Sequence, residues 1–334
     1  MINFDDFTDK RKKVLYEVMN KNWKEFDKYI SKTLYKGSTS NNSYSFNRDI
    51  QDVFSLDDTE QLRKKFEQAV SGSGNEKEKI KRLHSSSLCA FLFFYNVSSD
   101  NKLELELNGN LCEFNDVFFE YKYKVTNKGG PSNIDVVLLG KNCKTGNKAI
   151  LFLESKFAEY YLYACQSYHM KNAYKDDIKP YGKIFDDIQD FQNTTDLIMQ
   201  EENGKDTFLL CSDKTCYIEG FKQMFAHFVG VNSFINGKNP KYYSNRDERS
   251  KVIEYKDCDT EVYLGEILYS PEGDSDFKIA RNLYDQLYSK FYNLMEKYFF
   301  FDSKVSLLKK PLDYRETFLR RTCNTSIGKF YFGI

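Results

Sequence analysis

Several features that define common protein classes are scarce in this 334-residue chain. It has only three histidines, and none of its eight cysteines forms a Cys-x-x-Cys pair, so a zinc-finger type of site is not expected. The five prolines and 17 glycines exclude fibrous and linker-rich classes. No stretch approaches the roughly 20 apolar residues that a membrane helix needs, so we expect no membrane partner.

Neither sign of charge is in excess, since 49 lysines and arginines balance 49 aspartates and glutamates. Nucleic-acid-binding proteins often carry a basic surplus, so any basic face of this chain must be local. The first residues lack the basic start and apolar run of a signal peptide. We therefore expect a cytoplasmic protein with free thiols.

Aromatic residues make up 16% of the chain and supply ample apolar area for a packed core. The apolar period changes along the sequence, from helical spacing to alternation and back to helical spacing. We predict a mixed α/β protein. Residues 1–75 are predicted to be a helical N-terminal region, residues 76–270 the core, and residues 271–334 a C-terminal helical extension packed on the core.

The middle of the chain carries the strand patterns. Alternation over residues 103–107 and 117–125 predicts strands with one wet face. The apolar runs 134–139 and 149–153 are typical of central, buried strands. Residues 140–146 between these runs predict a hairpin-like connection, which places the two buried strands side by side.

Three charged residues lie at the ends of these two buried strands. Asp135 begins the first, and Glu154 and Lys156 end the second. Side chains alternate along a strand, so Glu154 and Lys156 project from one face about 6.6 Å apart along the chain. Two carboxylates and an ammonium at one spot suit a hard divalent cation and a water beside a phosphate.

The same residues allow a plainer interpretation. A salt bridge at the tip of a core strand also explains Glu154 and Lys156. In the catalytic interpretation, Asp135 and Glu154 bind Mg²⁺ or Mn²⁺, and the backbone carbonyl of Ser155 is a third ligand. Lys156 then orients the attacking water and offsets the charge that develops in the transition state.

Asp135 followed by Glu154-x-Lys156 matches the PD-(D/E)xK nuclease signature. The chain more narrowly resembles a bacterial group of restriction-endonuclease-like proteins within that superfamily, through segments 83–87, 117–120, 131–136, 152–159 and 223–227. The resemblance implies a restriction-endonuclease-like core, a central mixed sheet flanked by helices, within residues 76–270. It assigns metal binding to Asp135 and Glu154 and makes Lys156 the catalytic lysine.

The resemblance also brings further residues to the predicted site. Glu120 would be an added acid, although the pattern alone fits a wet-face strand residue equally well. Gln223 is similar to a helix glutamine that touches the site or a phosphate in some related nucleases. His227, one turn later, is interpreted as a satisfied, half-buried histidine. Glu78 is an acid on the first core helix, where a solvated helix start is the preferred interpretation.

A basic cluster near the C-terminus has two interpretations, phosphate contact or a solvated face. It comprises Lys309, Lys310, Arg315, Arg320 and Arg321.

Together these features predict a divalent-metal-dependent endonuclease that hydrolyses DNA in restriction or defence. A homodimer is expected because cutting both strands favours two sites, and a methyltransferase is a further expected partner. Two alternatives stay open. The chain is then either a nucleic-acid-binding module that does not cut, or an assembly protein built on the same core.

Overall fold

The structure is a computed structural model. It describes residues 2–4, 7, 10–33, 43–71, 76–123, 132–158, 160, 168–169, 197–202, 205–212, 215–216, 219–236, 246–271, 275–299, 303–321 and 324–334. None of the helices in these ranges combines the length and apolar character required to cross a membrane.

The secondary structure alternates between helices and strands along the described residues. The helices are α1 (Lys10–Asn20), α2 (Ile50–Phe54), α3 (Glu60–Ala69), α4 (Glu76–Lys79), α5 (Ser86–Phe94), α6 (Glu219–Ile235), α7 (Arg246–Tyr255), α8 (Ser275–Phe299), α9 (Tyr314–Leu319) and α10 (Thr325–Phe332). The strands are β1 (Ile30–Thr33), β2 (Ser43–Phe46), β3 (Leu103–Leu107), β4 (Asn110–Tyr123), β5 (Ser132–Asn142), β6 (Lys148–Phe157), β7 (Tyr168–His169), β8 (Leu197–Glu202), β9 (Lys205–Ser212), β10 (Thr215–Cys216), β11 (Glu261–Tyr269), β12 (Val305–Leu307) and β13 (Leu312–Asp313).

A seven-stranded mixed sheet forms the centre of the fold. Its order is β12-β11-β6-β5-β4-β3, and β13 also pairs with β11. The strands β3 to β6 pair antiparallel with one another, whereas β11 runs parallel to β6, β12 and β13. Strands β7 to β10 form a second, smaller sheet. The predicted α/β class, with a mixed sheet flanked by helices, is confirmed.

Two tight turns set the register of the central strands. Asn108 and Gly109 join β3 to β4 with positive φ angles of 52° and 87°, as a two-residue type I′ hairpin requires. Between β5 and β6, the side-chain Oδ1 of Asn142 accepts the backbone N–H groups of Lys144 and Thr145 at 2.9 and 3.2 Å. Register in a hairpin follows from its turn, so the second turn fixes which residues of β5 and β6 lie level.

Helices α5 and α6 cover opposite faces of β6. The Ser155 hydroxyl donates to the backbone carbonyl of Ser86 in α5 at 3.0 Å. The preceding residue, Glu154, instead accepts from the side chain of Gln223 in α6. Successive side chains of a strand point to opposite faces, so α6 lies on the face that carries Glu154.

The N-terminal region is not wholly helical, and in this respect the prediction for residues 1–75 was wrong. Strands β1 and β2 form a small antiparallel sheet, and Ser45 of β2 bridges to Arg82. Each strand has four residues, too few for alternation to stand out from the helical period around it.

The C-terminal region was predicted as a helical extension packed on the core, and the structure adds the strands β12 and β13, which extend the main sheet. At three and two residues, they are too short to leave a pattern. Helix α10 closes the fold, with Phe330 stacked on Trp23 at 5.3 Å between ring centroids. Buried residues from Ile2 to Phe332 form one contiguous core cluster.

Candidate active site

Three carboxylates lie side by side on adjacent strands of the main sheet. Asp135 is on β5, one residue beyond the paired stretch, and so lies level with Glu154 on β6. Glu154 is in turn the register partner of Glu266 on the parallel strand β11. Level residues on adjacent strands project from the same face. The three acids therefore form a row across the sheet, on the face that α6 covers.

Glu120 adds a fourth acid to this row from β4. The pairs on either side of it place Glu120 across from Asp135. Its backbone has a φ of 47°, a left-handed conformation that is uncommon for a non-glycine residue. The Asn133 amide donates to Glu120 Oε2 at 3.1 Å. Asn133 and Asp135 share a face of β5. The Glu120 carboxylate, which accepts from Asn133, therefore lies on the same face of the sheet as the row of acids.

The Glu154 carboxylate is held by two side chains through one oxygen. Lys156 Nζ donates to Glu154 Oε1 at 3.0 Å, and the Gln223 side-chain amide donates to the same atom. Lys156 also donates to Gln223 Oε1 at 2.7 Å, which closes a three-membered network. Glu154 is 3% exposed and Lys156 is 9% exposed. The lysine is thus turned into the site and away from bulk solvent.

The second oxygen of Glu154 faces His227. His227 Nε2 lies 3.0 Å from Glu154 Oε2, although the two atoms are not aligned for a hydrogen bond. Neither atom has a hydrogen-bond partner among the described residues. On its other side, His227 Nδ1 is hydrogen-bonded to the Tyr123 hydroxyl. His227 is 2% exposed, so it is buried more deeply than the half-buried histidine expected from the sequence.

Asp135 is anchored by β6, the strand that carries Glu154 and Lys156. Its Oδ2 accepts the backbone N–H of Ser155 at 2.7 Å. Burial of the carboxyl group raises the pKa of Asp135 well above its usual range, and repulsion from Glu154 and Glu120 raises it further. Lys156 and the Ser155 N–H act in the opposite direction but do not reverse this.

The pKa values of Glu154 and Glu266 are shifted in opposite directions. Burial raises the pKa of Glu154, but Lys156 and His227 outweigh burial and lower it to about 2. Glu266 is fully buried, and burial raises its pKa to about 7 despite the charge of Lys156 and a hydrogen bond from Tyr284. Glu154 is therefore the ionised centre of the row, with harder-to-ionise acids on both sides.

This donor set fits a divalent cation that takes oxygen ligands. Asp135 and Glu154 are level, and each carboxylate has more lone pairs than its protein hydrogen bonds use. The two carboxylates repel each other, and a bound cation would relieve this repulsion. Among the residues that the structure describes, no group of three or more His, Cys, Asp or Glu side chains is arranged to hold a metal ion. The predicted set has two carboxylates and the Ser155 carbonyl, and so requires only two such side chains.

The structure brings together all five side chains to which the sequence analysis gave a catalytic role: Asp135, Glu154, Lys156, Gln223 and Glu120. Ser155 lies between Glu154 and Lys156, and its role as a carbonyl ligand stays a prediction. The Glu78 side chain lies outside the described residues. Sequence analysis missed Glu266, although it is the only charged residue inside the apolar run 262–269 of β11, and that interruption was the available signal.

The predicted C-terminal basic cluster does not form one face. Lys309, Lys310 and Arg320 line a cleft of about 420 Å³ together with acids such as Glu106. Arg321 instead donates to the backbone carbonyl of Phe93 and to Asn96, at 2.9 and 2.7 Å. At least one residue of the cluster, Arg321, therefore stabilises the fold through its hydrogen bonds.

No known protein family, curated protein or solved structure matches this chain. The site is therefore described by its own geometry alone.

Proposed function

We propose that this protein is a divalent-metal-dependent endonuclease that hydrolyses phosphodiester bonds in DNA. The observation that carries the proposal is the buried contact of Lys156 with Glu154, 3.0 Å apart, beside the level carboxylate of Asp135. The residue types, their order along the chain and their common face of the sheet all suit this chemistry. The proposed fold is restriction-endonuclease-like, which the antiparallel strands β4 to β6 followed by the parallel strand β11 support.

In this proposal, Asp135 and Glu154 would hold Mg²⁺ or Mn²⁺ together with the Ser155 carbonyl. A bound ion would supply Lewis-acid chemistry, lowering the pKa of a coordinated water and offsetting the charge of phosphate oxygens. Lys156 orients the water and offsets developing negative charge. Gln223 holds Lys156 and Glu154 in fixed relation through its amide. Glu120 adds negative charge beside Asp135 and so increases the attraction for a cation.

The burial of the site favours these different roles for the two carboxylates. Glu154 keeps a depressed pKa because Lys156 and His227 lie against it, so it is ionised at neutral pH. Asp135 has a raised pKa, so a cation that binds it must first stabilise its charged form. Metal binding is therefore expected to release a proton and to strengthen as the pH rises.

The proposal extends to partners and location. DNA is the substrate, a homodimer supplies two sites for the two strands, and the protein acts in the cytoplasm in restriction or defence. A methyltransferase that protects the host DNA is the partner that such a role requires.

The test is cleavage of unmethylated and methylated supercoiled plasmid in Mg²⁺ or Mn²⁺, with EDTA as the blank. Lys156→Met and Asp135→Asn are each expected to reduce the cleavage rate by about 100-fold or more. Lys148→Met is the matched control because Lys148 is on the same strand, is partly exposed, and pairs with Asp257 at 3.3 Å.

Cleavage that survives Asp135→Asn or Lys156→Met would assign the activity to another site. Metal-independent DNA binding without cleavage would favour the alternative of a nucleic-acid-binding module. Oligomers without salt-sensitive DNA binding would favour an assembly protein.

A further inference from the structure

A buried chain of side chains runs from β4 to the candidate metal ligand Glu154. The Tyr123 hydroxyl is hydrogen-bonded to His227 Nδ1, and the two rings meet edge to face, 5.8 Å between centroids. His227 Nε2 then lies 3.0 Å from Glu154 Oε2. Tyr123, His227 and Glu154 are 0%, 2% and 3% exposed, so no bulk water competes for these contacts.

The carboxylate of Glu154 decides which nitrogen of His227 carries a proton. Its Oε2 can only accept, so Nε2, the nitrogen that faces it at 3.0 Å, carries the proton. In a neutral imidazole Nδ1 is then an acceptor, and the Tyr123 hydroxyl donates to it. Neither Nε2 nor Oε2 has a hydrogen-bond partner among the described residues, and leaving buried polar atoms without partners is costly. A rotation of the imidazole that aligns Nε2–H with Oε2 would satisfy both atoms.

The two oxygens of Glu154 are therefore held from two positions of one helix. Gln223 and His227 are four residues apart on α6 and so lie on the same side of that helix. Gln223 donates to Oε1, where Lys156 also donates, and His227 faces Oε2. Contacts on both oxygens restrict the plane of the carboxylate before any ligand arrives.

We propose that His227 and Tyr123 are positioning residues for Glu154, with Tyr123 holding His227 in the tautomer that presents Nε2–H to the carboxylate. This rests on the proposed function, because the orientation matters only if Glu154 binds the divalent cation. Partners that orient a metal ligand in this way typically contribute about 10- to 100-fold in metal affinity.

Two His227 variants test its contact with Glu154 and its contact with Tyr123 separately. A glutamine amide nitrogen reaches about as far as Nε2, whereas an asparagine amide reaches only as far as Nδ1. His227→Gln therefore keeps a donor toward Glu154, and His227→Asn keeps only a partner for Tyr123. The apparent dissociation constant for Mn²⁺, measured on the whole protein at one pH, is expected to rise about 10- to 100-fold in His227→Asn. It is expected to stay within about 3-fold of wild type in His227→Gln.

Tyr123→Phe carries the test if a His227 variant fails to fold, because it removes one oxygen atom and keeps the ring. It is expected to weaken Mn²⁺ binding by about 10-fold. Tyr121→Phe is the matched control: Tyr121 is buried on the same strand but contacts Phe234 of α6. Affinity for DNA in EDTA is expected to be unchanged in every variant.

The outcomes separate this inference from the proposed function. Wild-type protein that binds no Mn²⁺ and cuts no DNA overturns both. Wild-type protein that binds Mn²⁺, together with Tyr123→Phe and His227→Asn that bind it equally well, overturns only the positioning role. Equal losses in His227→Gln and His227→Asn that follow their losses of thermal stability also overturn it, since a packing role alone explains them.

Discussion

Glu154 and Glu266 are register partners on adjacent parallel strands, and both are buried. Lys156 stabilises the charged form of each carboxylate, but one ammonium cannot fully compensate two buried acids. Glu266 Oε2 accepts from Tyr284, and its Oε1 has no hydrogen-bond partner among the described residues. The site therefore carries an electrostatic cost that has consequences for stability as well as for ligand binding.

The pH dependence of unfolding is the first consequence. Burial raises the pKa of Glu266 from about 4.5 to about 7, so between these values the folded protein binds a proton that the unfolded chain does not. The free energy of unfolding therefore falls as the pH rises through this window, by at most about 3 kcal/mol. Glu266→Gln removes the effect. Urea unfolding in EDTA at pH 5, 6, 7 and 8 is expected to show a shallower decline for the variant, which is then the more stable protein at pH 8. Parallel curves for the two proteins would contradict this.

Asp135→Asn is expected to raise the stability of the metal-free protein and to remove its stabilisation by metal. Burial and two neighbouring acids raise the pKa of Asp135, so a neutral amide relieves repulsion while its oxygen still accepts the Ser155 N–H. The variant is expected to unfold at a higher temperature than wild type in EDTA at pH 8. Added Mn²⁺ is expected to raise the melting temperature of wild type but not that of the variant. A variant that Mn²⁺ stabilises as strongly as wild type would remove Asp135 from the ligand set.

Lys156 and Glu154 form a buried ion pair, and truncating one partner leaves the other charge unpaired. Lys156→Met is expected to lower the free energy of unfolding by about 3 kcal/mol or more. The double variant Glu154→Gln/Lys156→Met is expected to lose less than the sum of the single variants, because both charges leave together. Urea unfolding of the four proteins measures this coupling. Additive losses would show that the two side chains do not interact in solution.

The stacking of Trp23 on Phe330 links the two ends of the chain. Both rings are fully buried, and Phe330 also contacts Phe26, Phe46 and Phe54. Phe330→Ala is expected to cost about 3–5 kcal/mol and to leave a single unfolding transition, because one core is shared. Calorimetry that resolves a separate transition for the N-terminal region would instead make residues 1–75 an independent unit.

The parts of the fold that could be predicted are those with a sustained period. The alternation of residues 103–107 became β3, and the apolar runs around Asp135 and Glu154 became β5 and β6. The sequence has a long amphipathic helical pattern over residues 277–298, and the structure has α8 there, spanning Ser275–Phe299. These elements are long enough, or regular enough, for periodicity to identify them.

Short elements and interrupted helices were not predictable in the same way. The sequence pattern from about residue 76 fits a single helix, but the structure has α4 and then α5, whose start is capped by Ser85 accepting the Leu88 N–H at 3.1 Å. The pattern of residues 181–200 also fits a helix. Residues 181–196 lie outside the described residues, and residues 197–200 belong to strand β8, so a helix is wrong for them.

The site was predictable to the extent that its residues follow strand ends. Asp135, Glu154 and Lys156 were identified because each borders an apolar run. Glu266 was not, because its place beside Glu154 depends on parallel pairing between strands more than 100 residues apart, which no local pattern specifies. The partnership of His227 with Tyr123 is equally non-local, since the two residues are 104 positions apart.

The most direct test of the account is Mn²⁺ binding to the whole protein, measured by isothermal titration at pH 8 for wild type, Glu154→Gln and the exposed-strand control Glu104→Gln. If Glu154 and Asp135 hold the ion, wild type and the control bind Mn²⁺ with the same affinity, and Glu154→Gln loses binding while remaining folded. Wild-type protein that binds no Mn²⁺, or a Glu154→Gln variant that binds it unchanged, would contradict the account.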